Sequence, residues 1–239
     1  MTDTATDTPA TVVTADVVVV GMGIAGACAA IEAAEAGSSV IVLEGASGPG
    51  GSSAQSGGEV YLGGGTATQQ ALGIEDTVED MRAFLTAALG PNADEAKIDA
   101  YCTGAVEHHD WLVAHGAVFN HKLWDTPTWM PGDDSGLMWM GERAQPFASV
   151  ATPAARGHRP PAPNFAGNVL MDALVATAEK AGVQLICDIK ARSLIVERTS
   201  ALMMALSILV IVSNRTRPAM MRVIERISMR QYGIGHLWL

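Results

Sequence analysis

The hydrophobic pattern begins at Val17–Val20, four consecutive β-branched residues of the kind found in a strand buried on both faces of a parallel sheet. Ile24–Glu35 is Ala-rich and helical, and Gly37 stands where a glycine closes a helix. Val40–Leu43 is a second apolar run of strand length, and the three pieces fit the roughly 30 residues of a strand–helix–strand crossover. Further on, Thr77 and Asp80 have the spacing of a capping box and open a helix predicted to reach Leu89. Ile98, Tyr101, Cys102, Ala105, His109, Leu112 and Val113 recur at helical spacing up to His115, ahead of Gly116. Val169, Leu170, Ala173, Leu174, Thr177 and Ala178 define another amphipathic helix, stopped by Gly182, and 183–186 and 194–196 read as strands. Residues 45–65 have too little apolar periodicity for a regular element, and 119–165 is irregular and rich in Pro and Gly. The alternation of strand and helix predicts an α/β chain with a parallel central sheet.

The turn between the first strand and helix reads Gly21-Met22-Gly23-Ile24-Ala25-Gly26. In a dinucleotide-binding unit Gly21 permits the tight turn, Gly23 lets the backbone approach a pyrophosphate, and Gly26 lets helix and strand pack closely. Ile24 and Ala25 open the helix, whose N-terminus offers N–H groups and the positive end of its dipole to phosphates. Glu44 ends the second strand, where a carboxylate can accept from both hydroxyls of a ribose. It disfavours a 2′-phosphate, and so NADP, without separating NAD from FAD.

The next segment supplies that distinction. Gly50-Gly51-Ser52-Ser53-Ala54-Gln55-Ser56-Gly57-Gly58 follows directly, and with the first motif it resembles the FAD-dependent fumarate reductase and succinate dehydrogenase flavoproteins. That family includes the 3-ketosteroid dehydrogenases, which the segments starting at Asp110 and Arg156 resemble most. The resemblance runs from about Asp16 to Val196. It implies a Rossmann-like FAD-binding domain, incomplete here, with the substrate cap missing or only begun. It places Gly21, Gly23, Ile24, Ala25 and Gly26 on the FAD pyrophosphate and Glu44 on the adenosine ribose. Gly50, Gly51, Ser52, Ser53, Gln55, Ser56, Gly57 and Gly58 would run alongside the pyrophosphate and isoalloxazine, and Ala191 would contact the adenine. Small residues and hydroxyls suit that task, since they allow close approach and donate to flavin oxygen and nitrogen atoms. Members that bind flavin covalently do so through a His in this block. The first His here is His108, so the FAD is expected to be non-covalent. No catalytic residue carries over. The implied activity is oxidation or reduction at an activated C–C bond of a small molecule, with a steroid as a candidate; the alternative is an inactive FAD-binding remnant.

Composition and charge refine the picture. The 239 residues are 49% hydrophobic and carry a net charge of −10, which argues against nucleic acid as a partner. The charge is uneven. Residues 1–200 hold 24 of the 25 acidic residues, whereas 201–239 hold five Arg and only Glu225. The expected organisation is a disordered lead over 1–14, an FAD-binding domain over 15–199 with a loop-rich insertion at 119–165, and an atypical basic tail over 200–239. For the tail, a frameshifted end is preferred to a helix over 221–230, whose Arg222, Arg226 and Arg230 would share a face and dock on an anionic membrane or a partner. The apolar run 201–213 is too short to span a bilayer. With no basic leader and three widely spaced cysteines, the chain is expected in the cytoplasm, and no metal site is indicated. His108, His109 and His115 lack metal-pair spacing. Arg156, His158 and Arg159 lie in a loop read as solvated in preference to binding an anion or covering the flavin, Tyr61 is read as packing in preference to a flavin or substrate contact, and Phe119, Trp124, Trp129, Trp139 and Phe147 either line an apolar pocket or anchor loops.

Overall fold

The computed structural model describes residues 13–126, 128, 130–193, 206–213 and 222–229. The chain forms two compact units, the first from residues 1–51 and 175–239, the second from 52–174.

In the first unit, β1 (Val17–Val20), α1 (Ile24–Glu35) and β2 (Val40–Leu43) form the crossover that the pattern predicts. β1 and β2 pair in parallel with Val17 opposite Val40 and Val20 opposite Leu43. All four residues of β2 are buried, as the central strand of a parallel sheet requires. β1 differs from its expectation. It is half-buried, and Val20 is 63% exposed, because β1 is an edge of the described three-stranded sheet. On the other side of β2 lies the later strand Gln184–Ile186, also parallel. Ala15, Ile41 and Leu43 form a buried cluster against which Val18, Ile186, Ile189 and Ala191 pack.

The second unit follows with α2 (Gly51–Ala54), β3 (Val60–Tyr61), α3 (Ala67–Ala71), α4 (Val78–Leu89), α5 (Glu95–Thr103) and α6 (Ala105–Ala114). After them come β4 (Leu123–Trp124), β5 (Leu137–Met138), a 3₁₀ turn at Phe147–Ser149, β6 (Gly157–His158) and α7 (Gly167–Lys180), which runs on into the first unit's residues. Thr77 caps α4 by accepting from the Asp80 N–H at 3.0 Å. The single helix expected over 98–115 is two, α5 and α6, because Gly104 interrupts the run with ψ near 0°. The stretches expected to lack regular elements are also more structured than they read. Short β3, β4, β5 and β6 form one mixed sheet in the order β3-β6-β5-β4, and α2 and α3 are single turns too brief to show a period.

The remaining strands, β7 (Gln184–Ile186), β8 (Lys190–Ala191), β9 (Leu206–Ser213) and β10 (Arg222–Met229), belong to the first unit. β10, β9 and β8 pair antiparallel, with Ser213 opposite both Arg222 and Lys190. The helical alternative for 221–230 is thereby corrected. Residues 222–229 are a strand, consistent with the β-branched Val223, Ile224 and Ile227, and the i, i+4 arginine face does not arise. The strand expected at 194–196 and Trp129 lie outside the described residues. Among the described residues, no helix is long and apolar enough to cross a membrane.

Candidate functional site

In the first unit the β1–α1 turn is built by glycines with different tasks. Gly21 has φ +93°, and nothing lies within 4 Å of where a Cβ would stand, so its requirement is backbone conformation alone. Gly26 has the opposite requirement. A Cβ there would overlap the Gly21 carbonyl oxygen and meet Val19 Cγ1 at 3.3 Å, so glycine is what lets α1 lie against β1. Gly23 is the N-cap of α1, in extended conformation, and supplies no side-chain cap. The helices α3, α4 and α5 are capped by Thr66, Thr77 and Asp94 through their side chains. At the N-cap of α1 there is no side-chain cap hydrogen bond, and Ile24 and the exposed Ala25 begin the first turn at the positive end of the helix dipole.

Glu44, at the end of β2, reaches back to this turn. Its Oε2 accepts from the Met22 N–H at 2.7 Å and its Oε1 from the Ala46 N–H at 2.8 Å. Each oxygen keeps a second lone pair for a further donor. The link to Met22 has no signal in the sequence, since it depends on where the end of β2 meets the turn after β1. Gly50 has φ +110° and its N–H donates to the Met22 carbonyl at 2.8 Å; Gly51 has φ +48°. Ala191 is half-buried in β8.

In the second unit the Gly/Ser block folds on itself. Ser52, Gln55 and Ser56 are exposed and Ser53 is half-buried. The Ser56 hydroxyl donates to the Ser53 carbonyl at 2.8 Å and accepts from the Gly58 N–H at 3.2 Å. The Ala166 and Gly167 N–H groups donate to the Gly57 and Ser56 carbonyls, both at 3.1 Å. A Cβ on Gly58 would press on Ala166 C at 2.7 Å and Gly167 N at 2.8 Å, one on Gly167 would overlap the Ser53 carbonyl, and one on Gly57 the Glu59 carboxylate. Chain-on-chain packing therefore accounts for Gly58, whereas the atoms nearest the Gly57 position are the side-chain ends of Glu59 and Met130. Gly167 belongs to the same junction, and it has no signal of its own in the sequence because it opens α7 inside a helical pattern.

The other candidates resolve as follows. Arg156 and Asp76 form a fully buried pair, with Nη2 to Oδ1 at 2.6 Å and Nε to Oδ2 at 2.9 Å. Asp76 also accepts from the N–H groups of Gly64 and Thr77 and from Gln69 Nε2 at 2.9–3.0 Å. Arg156 is thus consumed as an internal strut. Tyr61 stacks on Phe84 at 5.6 Å, its carbonyl accepts from the Tyr101 hydroxyl, and Arg156 Nη1 lies 3.4 Å from its own hydroxyl. Burial, with Glu142 nearby, holds the Tyr61 phenol far above its ordinary range. His158 is fully buried. Its Nδ1–H donates to the Arg156 carbonyl at 3.0 Å, which fixes Nε2 as the acceptor for the Thr66 hydroxyl at 2.9 Å. Burial pushes its pKa down to about 4. His109 meets Thr68 Oγ1 and Asp110 Oδ1, both at 3.0 Å. Trp124 and Trp139 donate to Thr128 and Asp125, and Arg143 lies over the Trp139 ring at 4.2 Å, which is loop anchoring. Among the described residues, no group of three or more His, Cys, Asp or Glu side chains is placed to hold a metal ion.

Residues 16–231 match the FAD binding domain family. Over 200 residues the chain is 32% identical to a 3-oxo-5-alpha-steroid 4-dehydrogenase of Comamonas testosteroni, covering 82% of this chain and 37% of that protein. A 3-ketosteroid-delta4-(5alpha)-dehydrogenase of Rhodococcus jostii, solved in complex with 4-androstene-3,17-dione, is 44% identical with a TM-score of 0.81, covering 94% of this chain and 46% of that one. The open conformation of a flavocytochrome c3 fumarate reductase shares the fold at 23% identity, with a TM-score of 0.64 and coverage of 90% and 32%. The chain therefore spans less than half the length of these relatives.

Proposed function

Because this chain belongs to the FAD-binding domain family, with FAD as the cofactor, we propose that it is the FAD-holding part of an oxidoreductase that acts on an activated C–C bond of a steroid-like small molecule. The observation that carries the reading is the first unit's glycine turn, a helix start without a side-chain cap and with the Glu44 carboxylate fixed beside it. Its donor set suits an adenine dinucleotide: N–H groups and a helix dipole for the pyrophosphate, a carboxylate with spare lone pairs for the ribose.

In this reading Gly21, Gly23, Ile24, Ala25 and Gly26 hold the pyrophosphate and Glu44 the ribose hydroxyls. Ala191 meets the adenine. The block Gly50, Gly51, Ser52, Ser53, Gln55, Ser56, Gly57 and Gly58 runs alongside the pyrophosphate and isoalloxazine, with the exposed Ser52 and Gln55 as side-chain donors. When bound, FAD supplies the capacity to take or give a hydride. The attachment is non-covalent, since no His precedes His108. The steroid assignment rests on the Comamonas and Rhodococcus relatives. The acidic balance supports a partner that is not nucleic acid, and three free cysteines, their thiols all pushed up by burial, support a cytoplasmic setting.

A second reading, FAD binding without turnover, is favoured by the second unit's titratable groups. Tyr61 and His158 are both held by partners inside the fold, in protonation states unsuited to proton transfer near neutral pH. Turnover of a 3-oxosteroid with an artificial electron acceptor separates the two: reduction of the acceptor supports the oxidoreductase, and a yellow protein that reduces nothing supports the second reading.

A further inference from the structure

Within the second unit, the guanidinium of Arg159 is fully buried, yet its Nε and Nη1 have no hydrogen-bond partner among the described residues. Among the described residues only Nη2 is engaged, donating to the Asn164 carbonyl. The Glu59 carboxylate stops 4.0 Å from Nε, and its Oε1 is likewise without a partner. That distance is about 1 Å longer than a charge-assisted hydrogen bond. A buried cation with open donors and an incomplete counter-charge is a poor structural strut, and the Arg156–Asp76 pair in the same unit shows what a finished one looks like.

The location adds meaning. Both Glu59 carboxylate oxygens lie where a Gly57 Cβ would stand, so the unfinished pair lies beside the Gly57–Gly58 turn. Glu59 retains 19% of its side-chain exposure while Arg159 has none. Glu59 is therefore the member that can swing outward, and the flexible end of Met130, whose Cε also lies where a Gly57 Cβ would stand, lines the space it would leave.

We propose that Arg159 is the cationic end of an oxyanion-binding site beside the Gly57–Gly58 turn, with the Glu59 carboxylate as an internal placeholder for a phosphate or carboxylate ligand. The incoming oxygen accepts from the open N–H groups and displaces Glu59 toward solvent. The oxyanion comes either from the phosphates of FAD, in which case the inference rests on the FAD-binding reading above, or from a separate small anion.

Calorimetric titration of the full chain with FAD, riboflavin and inorganic phosphate tests it, using Arg159→Gln and Glu59→Gln. For the cofactor source, Arg159→Gln weakens FAD by about tenfold or more and leaves riboflavin unchanged. For the separate source, it spares FAD and abolishes phosphate binding. In both, Glu59→Gln tightens the ligand that Arg159→Gln loses, because the competing charge is gone. Variants that lower the melting temperature while leaving FAD and phosphate affinities as in the wild type make the pair purely structural and overturn the site, as does phosphate binding indifferent to both substitutions. If Arg159→Gln does not fold, Glu59→Gln decides: tighter binding of either ligand supports the site, and unchanged or weaker binding rejects it. A wild-type chain that binds phosphate through Arg159 but no FAD would refute the FAD reading and keep this one, whereas binding neither refutes both.

Discussion

Gly26 and Glu44 bring the physics of the site down to single atoms. Because a Cβ on Gly26 would overlap the Gly21 carbonyl, Gly26→Ala must push α1 away from β1 or distort the turn. The expected cost is about 1–3 kcal/mol, the range for overpacking, together with loss of bound FAD. Urea unfolding and flavin content of the purified variant check both. Glu44→Gln keeps the shape but turns one acceptor oxygen into a donor that faces a backbone N–H, either that of Met22 or that of Ala46. A loss of about 1–3 kcal/mol follows from the unpaired group, and FAD affinity drops alongside it. A variant with wild-type stability and affinity would show that this carboxylate does not brace the turn.

Among the elements, the Arg156–Asp76 pair ties the loop before α4 to the chain entering β6. Asp76→Asn leaves a buried guanidinium without its counter-charge, and a destabilisation of about 3–5 kcal/mol in urea unfolding is expected. β6 carries the second test. His158 titrates near 4 in the fold, below the ordinary His value of about 6.5 in the unfolded chain. The unfolded state therefore binds the extra proton first, so stability is full above about pH 6.5 and falls as pH drops toward about 4. His158→Gln is less stable at neutral pH but has a flatter pH profile between about 6.5 and 5, where carboxylates are still ionised. An unchanged slope would reject this assignment. The elements also show what the sequence can carry. β1, α1, β2, α4 and α7 were legible because each has a long enough period or a capping signal. The two-residue strands β3 to β6 were not, since alternation needs more residues than they have. The Asp76–Arg156 pair was hidden for a different reason: partners 80 residues apart leave no local pattern.

For the molecule as a whole, the glycine turn and Glu44 are local and carry a sequence signal, and the family match covers residues 16–231. What distinguishes the second unit, including the Gly167 contact and the unfinished Arg159–Glu59 pair, comes from tertiary packing alone. The proposed function puts FAD on the β1–α1 turn. The most direct measurement is flavin content after purification, and after incubation with added FAD and gel filtration, for the wild type beside Gly26→Ala. The expected result is a yellow wild type whose visible absorbance remains with the protein and is released by denaturation, and a colourless Gly26→Ala. A folded wild type that stays colourless after incubation with FAD would contradict it.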